Sequence, residues 1–207
     1  MTTYEELLDR DLDWALREGS MHFEEKNAVH KALHKITKRL EELGVPYALV
    51  GAMAMFFHGY RRFTDDVDIL LTRDGLRIVH ERLDGLGYLP PFQGSKHLRD
   101  TELGVKIEFL VAGDFPGDGK PKPVAFPNPD EASVRIEGIS CLRLPDLVNL
   151  KLASGMTNAG RLDDLGDVQR MIRVLNLPSE FVHQLDPFVQ PKYTELWNAV
   201  QNNPREP

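Results

Sequence analysis

Apolar positions recur along this chain at two periods, and the switches between them mark the elements. Leu7, Leu8, Leu12, Trp14, Ala15 and Leu16 fall at helical spacing over residues 4–18. Val29, Leu33, Ile36, Leu40 and Leu43 repeat that spacing over 23–43, where Gly44 and Pro46 stop the helix. The short apolar run 47–50 suits a buried strand, and Gly51 then opens a small-residue segment, 52–57, that predicts a helix.

From Asp66 to Leu71 the period drops to two: Val67, Ile69 and Leu71 share one face, with Asp66, Asp68 and Leu70 on the other. A helical pattern over 73–86 ends at Gly87, and two strands, 97–101 and 105–111, flank a tight turn at 102–104. In the second of these, Val105, Ile107, Phe109 and Val111 oppose Lys106, Glu108 and Leu110. Residues 113–130 hold too much Pro and Gly for a regular element and predict a long surface loop. Two short strands follow about Gly138, then helices near 145–155, 161–175 and 193–201. The expected architecture is α+β: a short mixed sheet flanked by helices, a core over 1–143 and a helical C-terminal segment over 144–207.

Composition narrows the function classes. The 207 residues carry 25 Lys+Arg against 32 Asp+Glu, a net charge of −7 and a single cysteine, Cys141. The acidic balance disfavours coating nucleic acid by bulk charge, and one cysteine builds neither an internal disulfide nor a thiolate zinc cage. No apolar run approaches the roughly 20 residues a membrane helix needs. The first twenty residues hold six acids and no apolar stretch before a cleavage site, so a cytoplasmic protein is expected.

The strongest chemical signal is a set of carboxylates on strands whose other faces are apolar. Asp66 and Asp68, two apart, project to one side and can reach a common magnesium ion, which prefers hard oxygen ligands. Glu108 completes the group if its strand is a neighbour. Such a cluster repels itself unless cations enter it, and bound ions would supply a Lewis acid for phosphoryl chemistry. At Gly51 and Ala52 small side chains at a helix start let phosphate oxygens approach the backbone.

The stretch GVPYALVGAMAMFFHGYRRFTDDVDILL resembles the signature of the DNA polymerase beta-like nucleotidyltransferases, in which a small-residue turn precedes Asp-hydrophobic-Asp by a short helix and loop. Arg62, Thr64, Asp66, Val67 and Asp68 match the spelling used by the minimal bacterial group related to the AbiEii toxin. The segment KLASGMTNAGRLDDLGDVQRM is similar to that group's later motif through Lys151, Arg161, Asp164, Leu165, Asp167 and Val168. The resemblance implies transfer of a nucleoside monophosphate from an NTP to an acceptor hydroxyl with two Mg2+ ions. Asp66, Asp68 and Glu108 would be metal ligands, and Gly51, Ala52, Arg62, Thr64, Lys151 and Arg161 would bind nucleotide. The acceptor would be RNA such as tRNA, a protein hydroxyl or a small molecule such as an aminoglycoside, and a toxin role would bring a cognate antitoxin as partner. Two departures stand out: Ala52 replaces the family's Gly or Ser, and Asp163 stands where lysine is common.

Bland readings compete with each feature. Lys151 is equally a solvated helix lysine, and Arg161 with Asp164 and Asp167 an ion-pair network closing a helix on the core. His30 and His34 have the spacing of a helical metal pair but lack the glutamate of a zinc hydrolase motif. Lys31, Lys35, Lys38 and Arg39 form a basic stripe, either a solvated face or a guide for an RNA acceptor. The rival to an enzyme is a catalytically silent nucleotidyltransferase-like module that recognises a partner; a metal-dependent phosphohydrolase ranks below both, since no His-Asp metal cluster is present.

Overall fold

The computed structural model describes residues 2–203. Helices α1 (Tyr4–Arg10), α2 (Leu12–Phe23) and α3 (Ala28–Glu42) lead into β1 (Tyr47–Leu49), α4 (Gly51–Phe57), β2 (Asp66–Leu71) and α5 (Arg73–Leu83). Strands β3 (Tyr88–Leu89), β4 (His97–Asp100) and β5 (Lys106–Val111) follow, then α6 (Pro129–Ala132), β6 (Ser133–Ile136) and β7 (Ile139–Leu142). The chain ends in α7 (Leu144–Thr157), α8 (Leu162–Val174) and α9 (Gln190–Asn202), with 3-10 turns at Ala159–Arg161 and Ser179–Gln184.

The strands form one mixed sheet in the order β3-β4-β5-β2-β1-β7-β6. β2 pairs with β5 and β1 with β7 in parallel, and the other neighbours are antiparallel. The α+β expectation of a mixed sheet flanked by helices is met. Alternation on β2 and β5 explains the layering: Val67, Ile69, Leu71, Ile107, Phe109 and Val111 are buried, while Asp66, Asp68, Lys106 and Glu108 are half-buried on the opposite face. α5 lies against β2 and β5, α3 against β2, and α7, α8 and α9 pack in succession. Cys141 is buried in the core. Among the described residues no helix is long and apolar enough to cross a membrane.

Several predicted boundaries move for identifiable reasons. The single helix expected over 4–18 is two, because Asp11 leaves helical geometry and its Oδ1 accepts from the Trp14 N–H at 2.9 Å, capping a new start. The next helix begins at Ala28 rather than 23: Glu25 takes a positive φ of 61°, and Asn27 caps the start by accepting from the His30 N–H. The helix expected over 73–86 ends at Leu83, and β3, unforeseen, pairs its two residues with β4. The loop 113–130 stays irregular as far as Asn128, where that side chain caps the short α6.

Candidate active-site cleft

The register of β2 and β5 brings the carboxylates together. Asp68 lies directly opposite Glu108, and Asp66 opposite Lys106, so acids and lysine share one face of adjacent parallel strands. One oxygen from each of Asp66, Asp68 and Glu108 falls within 4.8 Å of the others, the one such group among the described residues. All three line a cleft of about 930 Å³. Gly51, Ala52, Arg62, Thr64, Lys151 and Arg161 line it as well, so all nine residues singled out from the sequence converge on one cavity.

Gly51 sits at the strand-to-helix turn with φ +61°, where a side chain is disfavoured. An added Cβ would lie 1.9 Å from Asp68 Oδ2, so the missing side chain is the space in which the carboxylate rests. Asp66 is held by Thr64, whose hydroxyl donates to Oδ1 at 2.8 Å. Thr64 is therefore engaged with an acid rather than free for nucleotide. Glu108 accepts from Lys106 Nζ at 2.7 Å, and His97 Nε2 stands 3.9 Å away.

These contacts set the electrostatics. Burial pushes Asp68 up to about 7, and the charges of Asp66 and Glu108 add to that rise. Burial also pushes Glu108 upward, but hydrogen bonding and charge from Lys106 outweigh it and hold the carboxyl below its ordinary range. Asp65, beside the cluster, is raised first by burial and then by Asp66. The donor set is three carboxylates, hard oxygen ligands that fit Mg2+ or Mn2+. Two of them already have partners, and the third, Asp68, is left protonating near neutrality, a state that a divalent cation would reverse.

The far wall of the cleft is an ion-pair network joining three segments. Lys151 Nζ, buried on α7, donates to Asp164 Oδ1 and Asp167 Oδ2 on α8, each at 2.8 Å. Ser154 Oγ donates to the other Asp164 oxygen at 2.7 Å. Arg62 Nη2 donates to Asp167 Oδ2 at 3.2 Å, and its Nε lies 3.1 Å from Oδ1 as an ion pair without a hydrogen bond, tying the loop before β2 to α8. Lys151 is thus buried and spent on two aspartates, not the solvated helix lysine weighed against a phosphate role, and it takes the place in the ion-pair network that the sequence suggested for Arg161. Arg161 differs: its side chain is 61% exposed and its nearest acid, Asp164, is 3.6 Å away.

Arg62 is also held from behind. His22, fully buried, places Nε2 2.9 Å from the Arg62 carbonyl, which only accepts, so Nε2 carries the proton and Nδ1 accepts from Asn27 Nδ2 at 3.2 Å. Asn27 Oδ1 in turn accepts from His30 Nδ1 at 2.8 Å. Burial lowers both imidazoles, His30 to about 4. The first helices thereby brace the loop that carries Arg62, Thr64 and Asp66.

Other sequence features resolve differently. Asp163 is exposed and does not itself line the cleft, although the neighbouring Asp164 does. His30 is buried in the Asn27 network while His34 is exposed, and they form no metal group. Of the basic stripe, Lys35 pairs with Asp100 and Glu102, and Arg39 with Glu42. The loop after β5 is a wall of the cleft. Its Gly117 carbonyl accepts from Asn158 Nδ2 at 3.2 Å, and an added Cβ at Gly117 would meet Thr157 Oγ1 at 2.4 Å. Sequence reasoning passed over Lys106 and Ser154 as site residues. Lys106 does carry a sequence signal, two residues from Glu108 on the same strand face.

No family model and no curated protein matches the sequence. Among solved structures, the chain is similar to JHP933 from Helicobacter pylori, at 15% identity and TM-score 0.47, covering 84% of this chain and 89% of that one. It is similar to the antibiotic-resistance factor ANT(2'')-Ia at 13% identity and TM-score 0.43, covering 82% and 89% of the two chains. A nucleotidyltransferase candidate from Thermotoga maritima, TM1012, shares 18% identity at TM-score 0.42, with 70% and 91% covered. Scores this low assign neither family nor activity, and what the cleft can do is decided by its own side chains.

Proposed function

We propose that the chain is a metal-dependent nucleotidyltransferase that moves a nucleoside monophosphate from an NTP to an acceptor hydroxyl and releases pyrophosphate. The observation that carries this reading is the convergence of Asp66, Asp68 and Glu108 within 4.8 Å on paired parallel strands, at a cleft shared with Gly51. Asp66 and Asp68 would hold the ions, two Mg2+ in this reading, and Glu108 the ion nearer the acceptor. Bound there, divalent cations supply neutralisation of the carboxylates and stabilisation of charge on the transferring phosphoryl group. Thr64 fixes the rotamer of Asp66, Gly51 leaves room for Asp68, and Lys106 positions Glu108. Arg161 is the cleft cation least committed to a partner and is assigned to the phosphates, with the backbone at Gly51 and Ala52 alongside.

The network of Lys151, Asp164, Asp167 and Arg62 sets the distance between the loop before β2 and the helical wall, so these residues act by positioning. The acceptor is a hydroxyl of RNA, a protein or a small molecule. A toxin role with an antitoxin partner rests on the likeness of residues 44–71 and 151–171 to AbiEii-type enzymes.

A second reading, a catalytically silent nucleotidyltransferase-like module that recognises a partner, is favoured by the engagement of Lys151 with two aspartates and by the absence of a hydroxyl at Ala52. Calorimetric titration with each NTP, with and without Mg2+, tests the proposal. Metal-dependent affinity for at least one NTP is expected; no binding at millimolar NTP in the presence of Mg2+ would overturn it.

A further inference from the structure

We propose that Lys106 is the resident counter-cation of the carboxylate cluster, holding Glu108 while no divalent ion is present and surrendering it when one binds, so that this lysine sets the metal affinity of the site. The inference rests on the reading that Asp66, Asp68 and Glu108 grip a cation.

The pairing register puts Lys106 opposite Asp66 and Glu108 opposite Asp68, on one face. Lys106 Nζ lies 2.7 Å from Glu108 Oε2, with both side chains about one-third exposed or less. The other basic group on Glu108 is His97, at 3.9 Å from Oε1. Asp66 has the Thr64 hydroxyl, which carries no charge to offset its own. Lys151, the next buried cation of the cleft, is committed to Asp164 and Asp167. Lys106 is therefore the ammonium in direct contact with the cluster, through Glu108, while the charge of Lys151 acts on Asp68 from beyond its own two aspartates.

That arrangement has two opposed effects. An ammonium hydrogen-bonded to Oε2 occupies a lone pair that a metal would use, and its charge repels a divalent ion a few ångströms away. It also keeps Glu108 aimed into the cluster, so the acids are assembled before the metal arrives. Lysine suits an exchangeable role: its compact charge rides on a flexible four-carbon stem, whereas a bidentate arginine fork would hold the carboxylate more tightly.

The test is Mn2+ binding to the full chain, read from the electron paramagnetic resonance signal of free Mn2+, together with melting in EDTA. Lys106→Met and Lys106→Gln remove the charge by different shapes, so a folding failure in one leaves the other to report; Lys106→Arg keeps it. Both neutral variants are expected to bind Mn2+ on the order of tenfold more tightly than wild type, to melt lower in EDTA, and to gain more from Mn2+. The arginine variant is expected to bind no more tightly than wild type. Neutral variants that bind Mn2+ no better than a metal-binding wild type would overturn the role of Lys106 alone. Absence of Mn2+ binding in wild type and all variants would remove the metal site itself and the proposal with it.

Discussion

Replacing Gly51 by alanine should damage both the site and the fold, and only the damage to the site should be specific to this glycine. The residue sits at φ +61°, where a non-glycine residue costs about 1–2 kcal/mol. The new Cβ would fall 1.9 Å from Asp68 Oδ2, 2.8 Å from its Cγ and 3.0 Å from its Cβ, so the carboxylate must retreat by more than about 1 Å. A displacement of that size in a positioned reacting group costs about a hundredfold in rate. The expectation is a loss of about 2–3 kcal/mol in urea unfolding, a drop of about a hundredfold or more in transfer from labelled NTP, and weakened Mn2+ binding. Gly85→Ala is the control: φ there is +77° and an added Cβ meets nothing within 4 Å, so the backbone cost remains and activity is kept. A Gly51→Ala protein with wild-type transfer and wild-type Mn2+ affinity would refute the claim that the missing side chain is what seats Asp68.

Two further expectations concern stability. Lys151→Met should destabilise the protein by about 3 kcal/mol by leaving buried Asp167 and half-buried Asp164 short of their shared cation; unchanged urea unfolding would mean that the lysine serves the ligand and not the fold. Because burial depresses His30 to about 4, below its unfolded value, its contribution is intact above about pH 6.5 and is lost as pH falls toward 4, by up to about 3 kcal/mol. A His30→Gln variant should flatten that part of the pH–stability curve, and a wild-type profile in the variant would contradict the assignment.

What the sequence revealed and what it hid divide along physical lines. Asp66, Asp68, Lys106 and Glu108 were legible because period two is a local property, and it fixed which face each side chain takes. Their convergence required β2 and β5 to be neighbours, which no local pattern states. The break at Asp11 carried a signal, an aspartate able to cap, but the apolar spacing of Leu8, Leu12 and Trp14 runs across it and conceals the interruption. β3 is two residues long, too short for alternation to register. The engagement of Lys151 depends on α7 and α8 packing side by side, and the bracing of Arg62 by His22 on a contact forty residues away. Both are tertiary facts that composition and spacing do not encode.

The central claim is that three acids on paired strands hold metal for NMP transfer, and Asp68→Asn tests it most directly, because the change removes a ligand charge while keeping the shape. Purified wild-type protein and the variant, each incubated with the four labelled NTPs, Mg2+ and cell extract, should differ completely: label passes to an acceptor fraction only with wild type and only with Mg2+. Equal labelling by the Asp68→Asn protein, or none by either, would contradict the account.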